Sequence, residues 1–212
     1  MTSVDLAFPL AGERVARDHG YALYGALCRV VPGLHTAAWL GVHPLGGKPG
    51  DDGTLALAAR AHLRLRLPAS HIAEVLALIG ARLDVGGAGL VVGAPRVHAL
   101  TPASSLDARM VAIKLTLAPR RMHAELGRET LDVAGFAERY ASEVKRQLEA
   151  IGIRKGFELR GRRSLTVGGR RVVGYSVRVT GLSADESLAL QEKGIGGKRR
   201  MGCGLFRATR GP

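Results

Sequence analysis

Residues 194–204 read Gly194-Ile195-Gly196-Gly197-Lys198-Arg199-Arg200-Met201-Gly202-Cys203-Gly204. Glycine lets a backbone turn sharply and approach a ligand closely. The pattern therefore predicts a loop whose N–H groups face phosphate oxygens, with Lys198, Arg199 and Arg200 as cations at its crest. It is not a Walker A loop, because no segment fits G-x-x-x-x-G-K-[ST] and Gly46-Gly47-Lys48 is followed by proline. Nor is it a dinucleotide fingerprint, since a helix rather than a strand leads into it. That helix starts at Ser183-Ala184-Asp185-Glu186, a capping-box pattern. A short strand at 204–208 follows the loop. The loop thus closes a β-α-β-β-α-β unit.

Working back from it, 109–117 alternates as a strand and 133–151 carries Phe136, Tyr140, Val144 and Leu148 on one helical stripe. Segments 157–159, 164–167 and 172–179 read as strands, the last two joined at Gly168-Gly169. The same order recurs in the first half. Val4, Leu6 and Phe8 mark a strand, and Asp18 caps a helix ended by Pro32-Gly33. Two strands follow, 39–42 and HLRLRLP at 62–68, then a second amphipathic helix at 69–79 and returning strands to about residue 100. Thr101-Pro102-Ala103-Ser104-Ser105 reads as a linker. The expected fold class is α+β, two tandem ferredoxin-like units over residues 1–103 and 104–212.

The net charge is +13 over 212 residues, and residues 151–212 alone hold 14 Lys/Arg against 4 Asp/Glu. Such an excess points to a polyanionic partner. Cys28 and Cys203 supply neither a disulfide framework nor a zinc quartet. No basic-then-apolar leader opens the chain and no apolar run reaches membrane-spanning length, so a reducing cytoplasm is the expected compartment.

The C-terminal G-x-G…G-x-G loop, behind a helix and before a last strand, resembles the glycine-rich loop of CRISPR-associated RAMP proteins. The runs DHGYALYGALCRVVPGLH (18–35), GVHPLGG (41–47) and VVGYSVRVTGLSADESLALQEKGIGGKRRMGCG (172–204) resemble the sixth CRISPR-associated protein family, nearest its short form in Myxan-type (type I-U/I-G) systems. The resemblance covers residues 3–208. It implies an endoribonuclease that cuts precursor CRISPR RNA within each repeat, with no metal or other cofactor, and often stays on its product. A 2′-hydroxyl attacks the adjacent phosphate and leaves a 2′,3′-cyclic phosphate and a 5′-hydroxyl.

That chemistry needs a base, an acid and cations for the phosphorane, roles suited to histidine and to arginine or lysine. Of the seven histidines, His62, His71, His98 and His123 stand singly and read as structural or surface residues, and His19 reads as part of a helix start. His35 follows the first helix, where many members of the resembled family carry their catalytic histidine. His43, before Pro44-Leu45-Gly46-Gly47, is the second candidate. Some relatives add a tyrosine and a lysine. Tyr21 and Tyr24 lie on the helix and also fit its apolar stripe, and Lys48 is a candidate for the lysine.

RNA is expected on a basic face made of Arg160, Arg162, Arg163, Arg170 and Arg171 around the Gly168-Gly169 hairpin, with Arg154, Lys155 and the 198–200 crest. In the glycine loop the contacting positions are Gly194, Gly196, Gly197, Gly202 and Gly204. A stem-loop junction of the repeat is the expected target. Aromatics are only 4% of residues, so phosphate contacts rather than base stacking should dominate. Two other readings stay open: a non-catalytic RNA-binding subunit of a CRISPR effector complex, and a basic ribosomal or nucleoid protein.

Overall fold

The computed structural model describes residues 2–115 and 133–208; His123 and the end of the strand expected at 109–117 lie outside the described residues. The N-terminal half runs β1 (Ser3–Ala11), β2 (Arg14–Ala16), α1 (Gly20–Val30), β3 (Gly41–Val42), β4 (Gly47–Pro49), β5 (Thr54–Leu57), β6 (His62–Pro68), α2 (Ile72–Val75), β7 (Arg82–Val85), β8 (Ala88–Val92) and β9 (Arg96–Ala99). The C-terminal half runs β10 (Ser105–Val111), α3 (Val133–Ala150), β11 (Phe157–Val167), β12 (Arg170–Thr180), α4 (Ala184–Lys193) and β13 (Phe206–Ala208).

In the first sheet β1 is central, antiparallel to β6 from Ser3 opposite Pro68 to Pro9 opposite His62. β9 lies on its other edge and β3 beyond β6. In the second sheet the order is β11-β12-β10-β13. Each half therefore places its four framework strands in the ferredoxin-like order, fourth, first, third, second. The hairpin β7–β8 prolongs the first sheet at Leu10 and Ala11, and β2, β5 and β4 make a small separate sheet that the sequence pattern did not reveal.

The alternation in β6 works as expected on one face. Leu63, Leu65 and Leu67 are buried in one core with Leu23 and Leu27 of α1, each contributing about 2 kcal/mol by leaving water. The other face departs from the half-buried strand expected. Arg66 is 2% exposed. It donates to Asp5 on β1 (Nε to Oδ1, 2.8 Å; Nη2 to Oδ2, 3.0 Å). Its Nη1 reaches across to the carbonyls of Gln191 (2.9 Å) and Phe206 (2.6 Å). One guanidinium thereby joins the two halves.

Two other expectations are corrected. The helix expected over 69–79 is broken into 3-10 turns at Ala69–His71 and Leu76–Leu78 around the single turn of α2. Its inward residues are Ile72, Val75 and Leu78, three apart, while Leu76 and Ile79 face solvent. A period of three suits a 3-10 register, not an amphipathic α-helix. Asp18 does not cap α1. His19 holds the cap position with no side-chain cap bond, and the Asp18 carboxylate accepts the Thr166 N–H of β11 at 2.8 Å. By contrast, Ser183 and Glu186 form the expected reciprocal capping box on α4.

Candidate active site and nucleic-acid interface

The glycine loop is built differently from the expectation. The N–H groups of all five glycines are already donated within the protein. Gly194 donates to Leu190, Gly197 to Ala112, Gly202 to Arg199 and Gly204 to Met110, each to a carbonyl, while Gly196 donates to Gln147 Oε1 at 2.7 Å. These glycines shape the loop, and their N–H groups do not face a phosphate. At Gly204 (φ +67°) a Cβ would lie 2.1 Å from the Ile195 carbonyl oxygen. Gly204→Ala is therefore expected to lower stability by about 3 kcal/mol, combining left-handed strain with overpacking. The check is a fall in the urea midpoint without a change in slope.

The three cations of the crest also separate. Arg199 turns inward, donating to the carbonyls of Lys193 and Glu192 at the end of α4. Burial pushes its pKa down to about 10, with the Arg66 charge adding to the effect. It is a helix-end clamp. Lys198 stays exposed, and it is the one non-glycine with positive φ (63°) among the described residues. Arg200 reaches the N-terminal half. Its Nη1 donates to the His35 carbonyl, and its guanidinium lies 5.2 Å from the centre of the Tyr24 ring.

His35 ends a 3-10 turn, Pro32–His35, that directly follows α1. Its side chain is exposed, with the ring parallel to that of Tyr24 at 6.1 Å between centroids. Tyr24 is buried, and its hydroxyl donates to the carbonyls of Leu34 and His35, both at 3.2 Å. Burial raises its pKa and a hydrogen bond with Cys28 raises it further, so the phenol stays protonated. The sequence placed Tyr24 on the apolar stripe. It is also what holds the turn carrying His35. Tyr21, by contrast, is 46% exposed.

His43 has a different setting. It is 2% exposed, its Nε2 lies 3.6 Å from Asp5 Oδ1, and that nitrogen has no hydrogen-bond partner. Burial drives its pKa down to about 4, against the opposing pull of Asp5. His43 also lines the cleft between the halves, but a neutral imidazole held beside the Asp5–Arg66 pair is a weaker candidate for proton exchange with RNA than the exposed His35. His19 is structural as expected, accepting the Leu45 N–H at Nε2 (3.0 Å) with Nδ1 at 2.9 Å from the Ala16 carbonyl.

A cleft of about 590 Å³ separates the halves, its wall including Arg17, Arg109, Arg160, Arg163 and Arg207. Arg162, Arg163, Arg170 and Arg171 are all exposed on the β11–β12 hairpin, where Arg162 faces Tyr175 and Arg171 faces Thr166 in register. Lys155 is 3.7 Å from Glu186 and Arg160 is 3.8 Å from Glu158, so both are partly neutralised. Lys48 is exposed on β4. Sequence reasoning missed Arg17 and Arg109, which stand alone in the chain and become neighbours of Arg163 only through the fold. No helix among the described residues is long and apolar enough to cross a membrane.

This architecture has known counterparts. A solved structure described as CRISPR associated protein Cas6 superposes with a TM-score of 0.66 at 16% identity, covering 98% of this chain and all of that one. A structure described as a RAMP protein binding different RNA substrates gives 0.65 at 13% identity over the same shares. Thermus thermophilus Cse3, bound to an RNA representing a pre-cleavage complex, gives 0.55 at 19% identity, covering 99% of this chain and all of that one. These likenesses show the fold. Sequence goes further: the CRISPR-associated endonuclease Cas6 of Myxococcus xanthus (strain DK1622) is 40% identical over 206 residues, 97% of this chain and 81% of that protein. The family model described as Cas6 Crispr matches residues 4–211, spanning both sheets, the His35 turn and the glycine loop, and the chain belongs to that family.

Proposed function

We propose that this protein is an endoribonuclease that processes CRISPR repeat transcripts, without metal, by attack of a 2′-hydroxyl on the adjacent phosphate. The relative from Myxococcus xanthus carries the name of a CRISPR-associated endonuclease, which supports the class. The observation that carries the reading is the meeting of Arg200 from the glycine loop with the His35 turn, over the Tyr24 ring. It joins a titratable group to a cation at an exposed surface. His35 is the acid–base group of the reaction. Arg200, with four guanidinium N–H donors beyond the one given to the His35 carbonyl, stabilises the phosphorane. Lys198 adds a second cation from a backbone conformation that costs about 1 kcal/mol, a strain of the kind found at functional positions.

The RNA lies along Arg162, Arg163, Arg170 and Arg171, which hold its phosphates, and Gly194, Gly196, Gly197, Gly202 and Gly204 serve it by shaping the loop that presents Lys198 and Arg200. The functional division falls between residues 103 and 104, with His35 on the first unit and the basic hairpin and loop on the second. The test is cleavage of the host's own repeat RNA in EDTA, beside a substrate with a 2′-deoxy sugar at the cleavage site. The expected result is cutting of the ribose substrate only, with a cyclic phosphate on the upstream product. Cutting of the deoxy substrate, or cutting that EDTA abolishes, overturns the mechanism.

A further inference from the structure

Where α1 begins, a cavity of about 70 Å³ is walled by Arg17, Arg109 and Arg163, which also line the larger cleft. The three come from separate places: the turn after β2, the middle of β10, and β11. Among the described residues no carboxylate lies within ion-pair distance of any of the three guanidinium groups. Arg163 Nε donates to Ser176 Oγ at 3.2 Å. The carboxylate in the wall, Asp18, accepts the Thr166 N–H at 2.8 Å. Burial lowers the Arg109 pKa and the charges of Arg163 and Arg17 lower it further, while the Asp18 carboxylate opposes them. Three cations thus share a half-closed space with a single carboxylate, and the positive charge is in excess.

The first turn of α1 adds to this field. It has no acidic residue and no side-chain cap. The residue at the cap position, His19, is held by Ala16 and Leu45 and cannot turn to serve it. His19 and Gly20 at the start of α1 line the same cavity as the arginines, so the positive end of the helix adjoins it. A neutral ligand would leave the excess positive charge uncompensated, whereas an anionic group of phosphate size answers it.

We propose that Arg17, Arg109 and Arg163 form a binding site for a single phosphate group, filled by an internal phosphodiester of the RNA strand away from the bond that is cut. The RNA identity rests on the function proposed above; the anion site does not. α1 spans 11 residues, about 16 Å, between this cavity and the turn that carries His35. A phosphate held here fixes how many nucleotides separate an anchored linkage from the one presented to His35, and so sets the register of cleavage.

The test uses the full chain and uncleavable repeat RNA, 2′-deoxy at the cleavage site, with one methylphosphonate linkage placed at each position in turn. For the wild type, one linkage distant from the cleavage site should cost about tenfold in affinity when neutralised. In Arg109→Gln and Arg17→Gln that linkage should become silent while the others keep their effect, and the salt slope should fall by about 0.7. Arg109→Gln should also raise Tm by about 2 °C, because the excess positive charge is reduced. Inorganic phosphate should stabilise the wild type and not the variants. An unchanged linkage map in the variants overturns the site. Sensitivity only to a terminal phosphate, or only to free phosphate, overturns the internal linkage. Because the map is read on uncut RNA, it stands or falls apart from the nuclease reading.

Discussion

Replacing His35 with alanine is expected to slow single-turnover cleavage by about 10²–10⁴-fold, with RNA affinity held within about twofold, as removal of one acid–base group does. The fold should tolerate the change. The side chain is exposed, and what binds the turn to Tyr24 and Arg200 is the His35 carbonyl, which alanine keeps. Arg200→Ala removes charge stabilisation of the phosphorane, an effect of about 10²–10³-fold on the rate constant by analogy with loss of one oxyanion donor. It also frees the His35 turn from the glycine loop, so the two losses should not add when the variants are combined. His43→Ala should leave the rate constant of the folded fraction close to that of the wild type. Full-rate cleavage by His35→Ala, with His43→Ala inactive and folded, would reverse the assignment.

The parts of this arrangement that were legible in the sequence are those in which neighbours along the chain are also neighbours in space. Ser183 and Glu186 form their capping box within one turn. The leucines of β6 show their face by alternation, and the glycine spacing marks the loop. The misreadings came from residues whose partners are distant in sequence. HLRLRLP looks half-exposed because nothing nearby announces that the second half of the chain covers Arg66. Asp18 looks like a cap because Thr166 is 148 residues away. The glycines look like phosphate ligands because Met110 and Ala112, which take two of their N–H groups, lie on β10 and just after it, far from the loop in sequence. The break at 69–79 was partly visible. Ile72, Val75 and Leu78 repeat at three, and the exposed Leu76 and Ile79 disguise it as an amphipathic helix.

The buried joint makes the fold sensitive to acid in a defined window. A histidine whose folded pKa lies below its unfolded value binds its proton more readily when the chain unfolds. Its contribution to stability is therefore complete above the unfolded pKa of about 6.5 and falls as pH drops toward the folded one. His43, held at about 4 by burial, should cost on the order of 3 kcal/mol between those limits. His19, also lowered by burial, acts in the same direction, because protonating its Nε2 displaces the Leu45 N–H. Asp5 does not mask this. Burial works against its charged form, but His43 and Arg66 outweigh burial and depress its pKa, so its contribution is lost only below the ordinary carboxylate range. Urea denaturation from pH 7 to pH 4 should thus show a steady loss in the wild type. His43→Gln should remove the greater part of the slope and leave the share due to His19 and, toward pH 4, to carboxylates such as Glu143 that Arg146 holds below their ordinary range. A wild-type profile already flat across this window means that His43 takes up its proton inside the folded protein as easily as outside. The enclosed joint at Asp5 and Arg66 would then be open to water, and the argument against a catalytic His43 would lose its basis.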